Sequence, residues 1–307
     1  MRVGLARAMM AAAVALALAA PATFAQDAVR IASKIDTEGA LLGNMMLEML
    51  EAAGIKTINK LQLGPTNILR SAIIAGEIDA YPEYTGNGAI FYSLQSDPVW
   101  QSAERGYARI KALDGARRNL VWLAPAPADN SWVIALRKDV ATENQLASME
   151  DFAGWVRAGG AVRLAASAEF VESPAALPAF QRAYGFKLRQ SQILTLAGGN
   201  TAVTIRAAAE GISGVDAAMA YGTDGALAVL ELVVMSDPRK AQIVYAPAPV
   251  VRGAVLDKYP RIKDAFDPVF RSLDQATLRR LNAQIAVDGE APRQVARDYL
   301  KAQGFLK

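Results

Sequence analysis

The chain has 307 residues and a formal net charge of +3, with over half of its residues hydrophobic and neither cysteine nor histidine. Without those two residue types, Cys/His zinc sites, Ser-His-Asp triads, Cys-His dyads and His-ligated haem are all impossible, and no disulfide can staple the fold. The small positive charge comes with no basic stripe or RNA-binding motif, so nucleic acid is not an expected partner.

The amino terminus reads as an export signal. Arg2 and Arg7 precede an uncharged apolar run over 8–20, and Thr23-Phe24-Ala25 ends in the small residue that a signal peptidase needs. The run is shorter than the roughly 20 apolar residues of a membrane span, and Pro21 follows it. Cleavage before Gln26 is predicted, leaving residues 1–25 as signal peptide. Their loss removes two arginines and no acid, which brings the charge from +3 to +1. No lipobox cysteine is present, so the expected product is periplasmic, without a direct membrane anchor.

From residue 29 onward, apolar runs alternate with helical patterns. Residues 29–33 read as a strand. Asp36 or Thr37 then caps a helix whose Leu41, Leu42, Met45, Met46, Met49 and Leu50 recur at helical spacing, with Gly54 as the stop. A strand over 58–63, a helix capped by Thr66 and ended by Gly76, and a strand over 78–81 complete a βαβαβ rhythm. Such a rhythm implies a parallel sheet with right-handed crossovers. Pro82 and Gly86 read as a turn that presents Tyr81 and Tyr84 at the strand's carboxyl end, where ligands of open α/β sheets gather.

The rhythm restarts with strands over 132–136, 162–166, 190–196 and 217–220, and helices over 149–157, 174–184 and 201–210. A short edge strand is expected over 243–245. After Pro249 the chain reads as helical, over 261–273, 276–287 and 292–303. We expect two α/β lobes, 26–130 together with 245–307 and 131–244, with a ligand cleft between them and the carboxyl-terminal helices returned to the first.

The segment Ile78-Asp79-Ala80-Tyr81-Pro82-Glu83-Tyr84-Thr85-Gly86 resembles the "IDxYPEYTG" segment of the periplasmic binding proteins that capture glycine betaine, choline and related quaternary amines for ABC importers. Ser33-Lys34-x-x-Thr37-Glu38, Leu63-Gly64-x-Thr66, Tyr221-Gly222-Thr223-Asp224-Gly225, Tyr245-Ala246-Pro247-Ala248-Pro249, Leu281-Asn282 and Pro292-x-x-Val295-Ala296 extend the likeness in order along the chain. It is nearest to the OsmF/YehZ-like branch. The resemblance implies a bilobal type II periplasmic binding protein that is not an enzyme and needs no cofactor or metal. It also implies a monomer that hands a small quaternary-ammonium ligand to a membrane ABC permease with its ATPase.

By the same resemblance, the aromatic cage falls on Tyr84, Trp132, Tyr221 and Tyr245. A trimethylammonium group cannot donate strong hydrogen bonds, whereas ring faces offer negative quadrupole potential, about 0.5–2 kcal/mol per ring. On that account the ring face alone should matter, and phenylalanine should serve at Tyr84 or Tyr221. Betaine-binding relatives hold the ligand carboxylate with a lysine, a threonine and an arginine. Here Lys34 keeps the first, Asn87 stands for the second and Ser173 for the third. Asn130 takes a position that is aspartate in some relatives. A serine hydroxyl cannot replace an arginine–carboxylate fork, so choline, carnitine or an ergothioneine-like ligand remains open beside glycine betaine. Two blander motifs stand apart: Gly198-Gly199-Asn200-Thr201 as an anion-binding turn, and Asp79 with Glu83 as a hydrolase's carboxylate pair.

Overall fold

The computed structural model describes residues 28–196 and 201–307. The signal segment and most of the 198–201 glycine turn lie outside the described residues. Ten strands occur in chain order: β1 Val29–Lys34, β2 Thr57–Gly64, β3 Ala80–Tyr84, β4 Leu120–Trp122, β5 Trp132–Arg137, β6 Leu164–Ser167, β7 Ile193–Leu196, β8 Ala217–Tyr221, β9 Leu232–Val234 and β10 Pro247–Arg252. They form two five-stranded sheets, β2-β1-β3-β10-β4 and β7-β6-β8-β5-β9. The chain passes from the first sheet to the second between β4 and β5, and returns between β9 and β10.

The parallel pairing expected from the βαβαβ rhythm holds for β1 with β2 and β3, but each sheet as a whole is mixed. β10 runs antiparallel to β3 and β4, and β5 antiparallel to β8 and β9. Both reversed strands are the first element after a passage between sheets. Each therefore enters its sheet from the end where the connection emerges, instead of after a helical crossover.

The proline-rich motif is also more regular than its sequence suggests. The strand expected over 78–81 is Ala80–Tyr84, with Pro82 inside it opposite Pro249. Thr85 N–H donates to the Ala246 carbonyl at 3.0 Å. Alternation along the antiparallel ladder then makes 82/249 and 84/247 the non-hydrogen-bonded pairs, where a missing N–H costs nothing toward that neighbour. For the same reason the expected edge strand over 243–245 is replaced by β10, which runs through two prolines. Helix begins only at Gly253.

Helix Thr37–Ala52 is capped by Asp36, whose carboxylate accepts from Gly39 N–H at 2.6 Å. Helix Thr66–Ala75 instead has Pro65 at its cap with no side-chain bond, and Thr66 is its first residue. The Ala103–Arg118 helix carries almost no sequence signal because only Gly106, Ile110 and Asp114 are buried in it.

Each sheet has its own core. Leu41, Leu42, Met45 and Met46 pack with Phe266, Val269, Phe270 and Leu300, so the carboxyl-terminal helices cover one face of the first sheet. Phe152, Phe170, Phe180 and Met219 fill the equivalent layer on the second. Among the described residues no helix is long and apolar enough to cross a membrane.

Candidate ligand-binding site

The strand tips and the two connecting segments converge. Asp129 Oδ1 accepts from Ser131 N–H at 3.0 Å, from Tyr245 N–H at 2.9 Å and from the Ser131 hydroxyl in a short bond. Asn130 N–H donates to the Tyr245 carbonyl at 3.0 Å, and Ser131 Oγ also reaches the Ile243 carbonyl at 2.6 Å. Thr85 Oγ1 accepts from Ala246 N–H at 3.1 Å and lies 3.2 Å from the Val244 carbonyl. The outgoing and returning chains are thus zipped to each other and to the end of β3.

Two predicted ring positions meet on the second sheet. Trp132 opens β5 and Tyr221 closes β8, and they are register partners. Their ring centroids are 4.4 Å apart at 28°, a stacked pair, with Phe170 against Trp132 at 5.4 Å. On the first sheet, Tyr245 lies across the Tyr84-Thr85-Gly86 turn. A Cβ at Gly86 would stand 2.8 Å from its ring carbons, so that close approach requires glycine.

Tyr84 is nearly enclosed. The Lys34 ammonium sits 4.4 Å over its ring centroid, and its hydroxyl donates to Glu38 Oε1 at 2.8 Å. Lys34 Nζ is 2.7 Å from Glu83 Oε1, and the side chains are 10% and 0% exposed. Glu83 Oε1 also accepts from Asn87 Nδ2 and Tyr84 N–H, each at 2.7 Å, and its Oε2 from the Tyr81 hydroxyl at 3.2 Å. Lys34 and Asn87, expected to face a ligand carboxylate, are therefore both committed to one internal carboxylate.

Glu38 is the second buried hub. It accepts from Tyr84, from Asn130 Nδ2 at 3.4 Å and from Asn282 Nδ2 at 2.7 Å. Burial pushes its carboxyl up to about 7, against hydrogen bonds from Thr223, Tyr84 and Asn282 that pull it down. Burial likewise pushes Asp224 up to about 6, where it accepts from Tyr221 N–H at 2.7 Å. The Tyr245 hydroxyl is pushed up to about 12, and that of Tyr221 further, by burial and then by the negative charge of Glu169. Glu169 thus adds negative charge near Tyr221 and Tyr245.

Of the eight predicted positions, Lys34, Tyr84, Asn87 and Asn130 are joined through Glu83 and Glu38. Trp132 and Tyr221 stack, and the Tyr245 ring lies against Gly86, two residues after Tyr84. Ser173 stands apart: it ends the Ala168–Glu172 helix, and its Oγ accepts from Ala175 N–H at 3.4 Å. Sequence reasoning assigned no role to Glu38, Thr223 or Asn282. Glu38 in a first helical turn reads as a partner for the helix dipole, and the signal that singles it out is its place in the Ser33-Lys34-x-x-Thr37-Glu38 likeness.

Residues 27–302 match the family described as the substrate-binding domain of the ABC-type glycine betaine transport system. The chain belongs to this family. Within the family, it is 56% identical over 283 residues to the glycine betaine-binding protein YehZ of Escherichia coli K12, covering 92% of this chain and 93% of that protein. A glycine-betaine-binding protein of Pseudomonas aeruginosa is 29% identical, covering 91% of this chain and 89% of that protein. The solved structure of apo YehZ from E. coli superposes with a TM-score of 0.79 at 56% identity over 91% of this chain and 99% of that one. The family's two-lobed binding-protein architecture accounts for the two sheets and the double passage between them.

Proposed function

We propose that this protein captures a quaternary-ammonium solute, glycine betaine or a close chemical relative, and delivers it to a membrane ABC permease and its ATPase. The observation that carries the reading is the convergence of aromatic rings from both sheets, Trp132 stacked on Tyr221 and Tyr245 against the Tyr84 turn, with the Glu169 carboxylate near Tyr221 and Tyr245. Ring faces and diffuse negative charge suit a cation that cannot donate strong hydrogen bonds. The naming of E. coli YehZ and the P. aeruginosa relative as glycine betaine-binding proteins supports the same ligand class.

Lobes 26–130 with 245–307 and 131–244 would close on the ligand about the zipped connecting segments, driven by its higher affinity for the closed form. Export to the periplasm by the 1–25 signal and action as a monomer complete the reading. No reaction is assigned. Asp79 is held between Arg30 and Arg252, and Glu83 by Lys34, so the two carboxylates belong to separate, neutralised networks.

Choline, which has no carboxylate, competes with glycine betaine as the ligand because Lys34 is paired with Glu83 and residue 173 is serine. A thermal-shift panel of glycine betaine, choline, carnitine, ergothioneine and amino acids tests the assignment. A ligand at 100 times its Kd adds about 2.7 kcal/mol of stability. Stabilisation by uncharged solutes alone would overturn the cage.

A further inference from the structure

We propose that Glu38 is a positioning residue of the quaternary-amine site: its carboxylate holds the Tyr84 ring on the first sheet and, through Asn282, the loop that carries Tyr221 on the second. This rests on the functional reading above.

The geometry is specific. Glu38 lies in the first turn of the Thr37–Ala52 helix and is 5% exposed. Its Oε1 takes the Tyr84 hydroxyl and its Oε2 the Asn282 amide. The same Asn282 nitrogen donates to the Thr223 carbonyl at 2.9 Å, two residues beyond Tyr221. The loop has little freedom to leave this seat. Arg279 Nε and Gln275 Nε2 both donate to the Gly222 carbonyl, at 2.7 Å and 2.5 Å. A Cβ at Gly222 would stand 2.3 Å from the Asp129 carbonyl oxygen, and one at Gly225 2.1 Å from Ala283 N. The loop after β8 is thus pressed onto the backbone of the Gln275–Ala286 helix, and Glu38 stands where that contact meets the cage.

The charge arrangement calls for a cation. The donors to Glu38 are neutral side chains, Tyr84, Asn130, Asn282 and Thr223. Asp36 on its own helix end adds negative charge. Lys34, over the Tyr84 ring, is paired with Glu83, and Arg279 is bound to the Gly222 carbonyl, with Asp224 beside it. Asn130 and Asn282 both turn their nitrogens to Glu38 and leave their own Oδ1 atoms buried without a partner. Nitrogens turned to both oxygens suit the ionised carboxylate better than the protonated one, which would have to donate its own proton. A buried negative group flanked by two unpaired carbonyl oxygens lacks its counter-charge, and a trimethylammonium group supplies one without needing to donate a proton.

The test is calorimetric titration with glycine betaine and choline from pH 5.5 to 8.5 on the wild type, Glu38→Gln and Asn282→Ala, with thermal melts on each. Wild-type affinity for either cation should rise as pH increases through about 7, by up to about tenfold per unit for one linked proton. Glu38→Gln should bind more weakly at pH 8 and show no such slope, which separates Glu38 from Asp224. Asn282→Ala should keep the slope but lose about tenfold in affinity as the loop loosens. A Glu38→Gln protein that keeps the wild-type slope overturns the proposal, as does a wild type whose affinity is flat with pH, a result that stands even if the variant does not fold. An Asn282→Ala protein with unchanged affinity removes the coupling to Tyr221. Failure of the wild type to bind any quaternary amine would sink the functional reading itself, and this inference with it.

Discussion

The two halves of the candidate site are built on opposite principles. On the first sheet, Lys34, Glu83, Asn87, Tyr81 and Tyr84 form a closed polar network in which one carboxylate takes four donors. On the second sheet, Trp132 and Tyr221 stack ring on ring, with Phe170 of the Ala168–Glu172 helix tilted against Trp132. A charge-paired network is rigid and intolerant of losing one member, whereas a ring stack tolerates loss of polar groups but not of ring area. One corner therefore sets the geometry, and the other supplies the apolar surface for a cation.

Removing Lys34 is the most damaging way to break that contrast. Lys34→Met strands the Glu83 carboxylate without its cation, and breaking a buried pair from one side costs about 3–5 kcal/mol. Denaturant unfolding should show a loss of that order, while Trp132→Leu, with no charge left behind, should cost clearly less.

Glu38 tests the same corner through pH. Its folded-state value lies above the ordinary carboxylate value, so the folded protein holds this proton more tightly than the unfolded chain does. Stability from this group is complete below about pH 4.5 and is lost as pH rises through about 7. The loss amounts to roughly 3 kcal/mol. Unfolding at pH 5 and pH 8 should show a smaller decline in Glu38→Gln than in the wild type. Equal declines would place the titrating group elsewhere, Asp224 first.

The rings sharpen the comparison. Tyr221→Ala should weaken quaternary-amine binding about tenfold through lost ring contact, and Tyr221→Phe should keep most of it. Tyr84→Phe should not be so mild, because the Tyr84 hydroxyl is bound to Glu38. The ring-only expectation drawn from the sequence thus divides between the two positions, and calorimetry on both phenylalanine variants decides it.

Ser173→Arg carries the smallest expected effect. Ser173 is half-buried and bonds only locally, so an added guanidinium there should raise glycine betaine affinity about threefold, as an exposed charge pair does. Choline affinity should not rise. Equal gains for both would mean that residue 173 does not face the carboxylate end.

Much of the fold is legible in the sequence because its signals are local. Helical spacing from Leu41 to Leu50 and the caps at Asp36 and Gly76 depend on neighbours within a turn or two, and so survive into the structure. So do the rings at 132 and 221, which strand alternation and the family likeness place at strand tips. What tertiary structure alone decided is pairing across long separations. That Pro82 belongs inside a ladder depends on Pro249 arriving opposite it. Lys34 pairs with Glu83, 49 residues away. Glu38 meets Asn282, 244 residues on, and so becomes a hub instead of a surface carboxylate. A buried charge is governed by whatever the chain brings within about 3 Å, and linear spacing carries no record of that distance.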